Sequence, residues 1–250
     1  MRLEGEPPIL RLVLDHPGAS NALSGAMMHQ LQEHLTTLER LCADPGWGGT
    51  GLILRGEGIR AFCAGSDLRL VREHVEDRVA AEAMCALMQG LTERLWRLPL
   101  VSVAAIEGAA VGGGAELITA CDLRVMSSNA KIRFVQARMG LSCGWGGGAR
   151  LVRLVGRQQA LRLLGSAAPV TAEQALEIGL VDAIAPPGGA EQRAEQCLAA
   201  YSQHPATAQR AAKAAVAASS GIPDEVYRAE RAIFLGLWGG PAHRMAMARL

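Results

Sequence analysis

The segment from Val101 to Cys121 limits this chain more than any other. Val101 to Ile106 is an unbroken run of small and apolar residues, Gly108 to Gly114 is a glycine-rich turn, and Ala115 to Cys121 reads as a helix. A buried strand that turns on glycines into a helix is the repeating unit of an α/β layer. The same alternation surrounds it. Ile9 to Leu14 and Gly51 to Leu54 predict strands, as do Leu123 to Met126 and Lys131 to Val135. The stripe Met28, Leu31, Leu35, Leu38 and Cys42 predicts a helix that Asp44-Pro45-Gly46 stops. Met84, Leu87, Met88, Leu91, Leu95 and Leu98 mark a second helix, ended by Pro99. Ala61 to Leu68 (AFCAGSDL) reads as a small-residue turn.

A second glycine-rich loop spans Gly140 to Gly148, and beyond it the chain is expected to be nearly all helical. Thr171 and Gln174 have capping-box spacing, Gly179 is a helix stop, and Val226, Ala229, Ile233 and Leu237 form the apolar face of a last helix. These signals divide the chain into an α/β core over 1–168 and a helical region over 169–250.

Composition removes several classes of function. The 250 residues can bury a sizeable core, half of them are apolar, and 25 basic residues balance 24 acidic ones. Such a chain is not disordered and gives nucleic acid little to bind. The longest uncharged apolar stretch, Leu98 to Ile106, is too short to span a membrane. Met1 to Pro8 lacks the apolar core and cleavage site of a signal peptide. The six cysteines (Cys42, Cys63, Cys85, Cys121, Cys143 and Cys197) are scattered, with no Cys-x-x-Cys pair, and there is no His-Glu-x-x-His. The expectation is no disulfide framework, no metal site and a reducing, cytoplasmic setting.

Gly112-Gly113-Gly114 lacks the spacing of a dinucleotide turn, and Gly144-Trp145-Gly146-Gly147-Gly148 lacks the Lys-Ser/Thr of a phosphate loop. Two readings of the first cluster stand. The glycines let a helix pack close to a strand. Alternatively they let a ligand oxygen approach the unpaired N–H groups at the positive end of a helix. One such turn supplies one donor, and AFCAGSDL is the natural source of a second.

AFCAGSDL and Ala105 to Leu117 (AIEGAAVGGGAEL) together resemble the crotonase, or enoyl-CoA hydratase/isomerase, superfamily. Asp15 to Ser24 (DHPGASNALS) matches that family's N-terminal signature, and Gly140-Leu141 with Gly146-Gly147 and Arg150-Leu151 matches a later one. The resemblance covers nearly the whole chain in order. It implies an α/β spiral of ββα turns, a C-terminal helical region that mediates trimer contacts, and an acyl-CoA thioester substrate. It also implies a thioester enolate held by two backbone N–H groups, which fall here on Ser66 and Gly113. Ala22, Ala64, Gly65, Asp67, Leu68, Gly112 and Trp145 are the implied substrate-binding positions.

Hydration in this family uses two glutamates. The first position falls on Glu116 and the second on Gln136, and an amide cannot act as a carboxylate acid or base. The stretches FCAGSDL, GGGAELITACDLRVM, AKIRFVQARMG and LWGGPA are closer to the family's decarboxylating branch, which acts on ethylmalonyl-CoA and less well on methylmalonyl-CoA. Cys143 stands where that branch carries proline and Gln136 where it commonly carries histidine. Decarboxylation suits the remaining groups, because it needs the two N–H donors and no base. Glu116 is then a proton donor or an orienting group, and Gln136 a contact to the substrate carboxylate or the thioester. Arg69, Arg72 and Lys131 are candidates for the CoA phosphates. No cofactor is expected, since CoA is part of the substrate, and the implied assembly is a homotrimer or hexamer. The alternatives are a hydratase or isomerase working with Glu116 alone, and a non-catalytic acyl-CoA-binding subunit.

Overall fold

Alternate residues of a strand face opposite ways, so a sheet covered on both sides needs strands that are apolar throughout. In the computed structural model, which describes residues 1–249, the central strands meet that requirement. The larger sheet contains β1 (Arg2–Glu6), β2 (Ile9–Leu14), β3 (Gly51–Gly56), β5 (Val101–Ile106), β7 (Leu123–Ser127) and β9 (Ala183–Ala185), in that spatial order. Only the β1–β2 pair is antiparallel. The smaller sheet is the parallel set β4 (Ala61–Cys63), β6 (Ala109–Val111) and β8 (Ile132–Arg133). Each strand of the first sheet from β3 to β7 leads into a strand of the second and then into helix. This is the ββα spiral implied by the family resemblance.

The helices are α1 (Gly25–Ala43), α2 (Leu68–Glu73), α3 (Arg78–Arg97), α4 (Gly113–Ile118), α5 (Gly147–Ser166), α6 (Ala172–Glu177), α7 (Ala190–Ala199), α8 (Ala206–Ser219), α9 (Asp224–Leu237) and α10 (Pro241–Ala248). One face of the large sheet buries Leu52, Leu54, Ala104, Ile106 and Met126 with the leucines of α1 and α3. The other buries Ile53, Val103, Ala105 and Val125 against Ala190, Ala194 and Leu198 of α7. Glu107 accepts the N–H of Ala190 at 2.9 Å and so caps α7 over that face. Each fully buried leucine of α1 (Leu31, Leu35, Leu38) contributes about 1.5–3 kcal/mol of transfer free energy. Ser24 caps that helix by accepting from Met27 N.

Some sequence readings change in detail. AFCAGSDL is not all turn, because Ala61–Cys63 is β4, and the Gly108–Gly114 turn contains β6. Lys131 to Val135 shrinks to a two-residue strand, and the helix expected over Ala115–Cys121 runs from Gly113 to Ile118. Beyond Gly148 the chain is nearly all helical, as expected, with the short strand β9 pairing with β7. The apolar face read on the last long helix points outward, with Val226, Ile233 and Leu237 at 40%, 60% and 40% exposure. Tyr227, Phe234 and Leu235 face inward instead.

Candidate active site

Two turns meet at the end of the small sheet. The first follows β4, where Gly65 sits at φ +93°. It is stitched to the segment from Ser20 to Leu23: Ala64 N–H donates to Ser20 O, Leu23 N–H to Gly65 O and Asp67 N–H to Leu23 O, at 2.7–3.0 Å. Asn21 braces that segment by donating to the carbonyls of Glu57 and Ala61. DHPGASNALS is therefore the frame that holds the first turn. The second turn follows β6, with Gly112 N–H spent on Arg133 O and α4 starting at Gly113. Among the described residues neither Ser66 N–H nor Gly113 N–H has a hydrogen-bond partner. The two turns touch: a Cβ at Gly65 would lie 2.9 Å from Gly113 N. Gly113 in turn lies under the Trp145 ring, whose Cζ3 would be 2.4 Å from a Cβ there. Both glycines are required by space: Gly65 N–H is spent on Cys63 Sγ, and a side chain at Gly65 would crowd the open Gly113 N–H.

One turn along α4, Glu116 is buried and saturated. Its Oε1 accepts from Gln136 Nε2 at 2.9 Å and, weakly, from Gly144 N at 3.4 Å. Its Oε2 accepts from Trp145 N at 2.8 Å and Gly147 N at 3.0 Å. Burial holds its pKa above the ordinary carboxylate value, although the bonds from Trp145, Gln136 and Gly147 and the charge of Arg150 pull against that. Glu230 of α9 completes the arrangement by accepting from Gly146 N at 2.6 Å and Ala149 N at 3.1 Å. Burial and the nearby Glu116 push Glu230 up to about 7. Buried Arg150 ties the elements together, donating to Trp145 O, Thr119 Oγ1 and Thr92 Oγ1 at 2.8–3.2 Å.

The two turns, Glu116 and Gln136 border one cavity of about 730 Å³, with Glu230 and Arg150 behind its wall. The candidates Ser66, Gly113, Glu116 and Gln136 all line it, and so do Ala22, Ala64, Gly65, Asp67, Leu68, Gly112 and Trp145. Arg69 and Arg72 line it as well, joined by Arg133 and Arg138, whereas Lys131 does not. Its apolar wall includes Met84, Leu141, Phe234 and Trp238. Sequence reasoning missed Glu230, Arg150 and His243. His243 is fully buried and borders the cavity. Among the described residues no group of His, Cys, Asp and Glu is placed to hold a metal, and no helix is long and apolar enough to cross a membrane.

Known proteins are similar to this chain in sequence and fold. The enoyl-CoA hydratase/isomerase family model matches residues 4–235. Ethylmalonyl-CoA decarboxylase of Xenopus tropicalis is 47% identical over 177 residues, which is 70% of this chain and 56% of that protein. The enzyme of the same name from Gallus gallus is 48% identical over 170 residues, 68% of this chain and 54% of that one. The match thus spans little more than half the length of these relatives. The crystal structure of enoyl-CoA hydratase from Bacillus anthracis superposes with a TM-score of 0.81 at 28% identity, covering 92% of this chain and 87% of that one. On its fold, its paired glycine turns and these similarities, the chain belongs to the enoyl-CoA hydratase/isomerase, or crotonase, family.

Proposed function

We propose that this chain decarboxylates a short branched malonyl-type CoA thioester, ethylmalonyl-CoA in preference to methylmalonyl-CoA. The observation that carries the reading is a mismatch of groups in the cavity. Two N–H donors are free, while Glu116 already accepts every bond it can make well. The other carboxylate on the wall, Asp67, caps α2 by accepting from Arg69 N. Hydration requires a base that takes a proton from water. Decarboxylation requires only a place for electrons to go. The bond between the α-carbon and the carboxylate breaks, its electron pair enters the thioester carbonyl, and carbon dioxide leaves. Ser66 N–H and Gly113 N–H hold the resulting enolate oxygen, and the α-carbon then takes a proton from solvent water entering the cavity. Glu116 serves as an orienting group that fixes Gln136 and the loop carrying Trp145. The names of the relatives with 47–48% identity support the same reaction.

The CoA portion has a basic mouth to meet. Arg69, Arg72, Arg133 and Arg138 border the cavity, and none of them forms an ion pair among the described residues. The reaction needs no cofactor beyond the CoA that its substrate carries. The exposed apolar side chains Val226, Ile233 and Leu237 of α9 suit a homotrimer or hexamer, and the free cysteines suit a reducing cytoplasm.

The test is parallel incubation of the protein with racemic ethylmalonyl-CoA, methylmalonyl-CoA and crotonyl-CoA, with products resolved by mass. Butyryl-CoA from the first is the expected result. Hydroxybutyryl-CoA from crotonyl-CoA, with the malonyl esters untouched, would make the chain a hydratase. Tight binding of all three without turnover would make it a binding subunit.

A further inference from the structure

Two buried polar atoms on the cavity wall have no partner, Gln136 Oε1 and His243 Nε2. They differ in sign. Gln136 already donates through its nitrogen to Glu116, so the atom left over is an acceptor. In His243 the opposite holds. Gly239 N–H donates to His243 Nδ1 at 3.1 Å, which places the ring proton on Nε2. The unpaired atom is therefore a donor, and it remains one if the ring becomes protonated. A carboxylate oxygen is repelled by the first atom and held by the second.

The ring is rigidly placed. It packs against Trp238 with centroids 4.8 Å apart, and Trp238 packs against Phe234 at 5.3 Å. Gly140 lies against the backbone of Ala242 and His243, so the start of α10 sits directly on the turn that carries Gln136. With the ring at 0% exposure, water does not reach Nε2, and an unpaired buried donor is destabilising. That cost is recovered when a ligand acceptor reaches the atom, through the side-chain adjustments that ordinarily accompany binding.

We propose that His243 Nε2–H is the substrate-selecting donor of this cavity, binding the carboxyl group that distinguishes a malonyl-type thioester from a plain acyl thioester. The proposal rests on the decarboxylase reading for its substrate class. Its chemistry suits that reaction. The ring packs on Trp238, which packs in turn on Phe234, and burial lowers its basicity, so it meets the carboxylate as a neutral partner. A neutral donor orients the carboxylate without adding the ion-pair energy that would hold the ground state back from losing carbon dioxide.

Two substitutions separate selection from structure. His243→Asn keeps an acceptor for Gly239 N–H and removes the distal donor, whereas His243→Gln keeps a distal donor. The probes are butyryl-CoA and 2-carbamoylbutyryl-CoA, a carboxamide that cannot lose carbon dioxide, with affinities read by calorimetry. His243→Asn should weaken the carboxamide about tenfold and leave butyryl-CoA within about threefold, and His243→Gln should recover most of the loss. On ethylmalonyl-CoA the Asn variant should lose about 10- to 100-fold in kcat/KM. Equal weakening of both probes with no recovery by Gln would overturn the proposal and leave His243 as a packing residue. No change in either probe would overturn it too. If the wild-type protein turns over no malonyl ester, the decarboxylase reading falls, and the two binding constants still decide the role of His243.

Discussion

Glu116→Ala and Glu116→Gln should have very different consequences, and the difference follows from the bonds that Glu116 accepts. In the alanine variant Trp145 N and Gly147 N, now bonded at 2.8 and 3.0 Å, are left buried and unpaired. The Gly144 bond at 3.4 Å is too long to count, and the Gln136 amide can turn toward the cavity. Two stranded backbone donors cost about 2–6 kcal/mol, at roughly 1–3 kcal/mol each. That is a large share of the roughly 5–15 kcal/mol that holds a domain folded. In the glutamine variant the side-chain oxygen keeps Trp145 and Gly147, and the new amide nitrogen faces Gln136. Gln136 can flip to accept with the oxygen that is otherwise unpartnered. The remaining cost is the difference between charged and neutral bonds, about 1–2 kcal/mol, offset by the relief of burying a charge. Urea unfolding of the three proteins measures this directly. Turnover of ethylmalonyl-CoA in deuterated water measures the chemistry. The glutamine variant should stay within about tenfold of wild-type rate and deliver deuterium with the same stereochemistry, because orientation survives. An alanine variant within about 1 kcal/mol of wild type would refute the clamp. A loss of about 100-fold or more in the glutamine variant, with stereochemically scrambled deuterium, would make Glu116 the proton donor instead.

Gly65→Ala places a Cβ 2.9 Å from Gly113 N on a backbone at φ +93°, so it should cut kcat about 10²–10³-fold while the protein still folds. A folded variant with wild-type kcat would remove the donor pair from the mechanism. Gln136→Glu replaces the 2.9 Å bond to Glu116 by two carboxyl groups sharing one proton, so decarboxylation should fall and hydroxybutyryl-CoA should become detectable from crotonyl-CoA. Mass analysis that finds none would show that a second carboxyl is not sufficient for hydration here. Glu230 is held up to about 7 from an ordinary 4.5, so across that window the folded chain keeps a proton that the unfolded chain has released. Its contribution to stability therefore falls as pH rises from about 4.5 to about 7. The Glu230→Gln variant should gain on wild type between about pH 5 and about pH 8 in urea midpoints, and a constant difference would contradict the assignment.

The core of this fold is legible because strands buried on both faces must be apolar throughout, and Val101 to Ile106 shows it plainly. The edge strand β1 is not legible, because its charged residues are held by ion pairs that no periodicity records, such as Arg2 with Asp15 at 2.6 Å. Strands β4 and β6 are three residues long and small in side chain, so the surrounding turn residues mask them. The donor turns are legible for the opposite reason: space admits only glycine at Gly65 and Gly113, and space is recorded in sequence. The inward face of α9 is hidden in the sequence because the residue at its centre is Glu230. The stripe Tyr227, Glu230 and Phe234, continued by Trp238 at the helix end, has a carboxylate where an apolar pattern needs a hydrophobe, so periodicity selects Val226, Ala229, Ile233 and Leu237 instead. His243 has no comparable signature, since its meaning depends on which ring nitrogen Gly239 occupies.

Glu230 also explains how the two halves of the cavity are joined. The N-cap residue of α5 is Gly146, which has φ +78° and no side chain, so the helix cannot cap itself. Its first N–H groups are satisfied instead by Glu116, which comes from the turn bearing Gly113, and by Glu230, which comes from the helix bearing Phe234. Both carboxylates also sit at the positive end of the α5 dipole, which favours their charge against the burial that opposes it. A serine at 146 could not take over the task, because a β-substituted residue is strained at that φ. The position of the turn bearing Gly113 and the position of the cavity wall bearing Phe234 are therefore set by one helix start. A carboxylate at 116 keeps a purpose in a cavity without the second glutamate of a hydratase, and that purpose is to place Trp145 over Gly113.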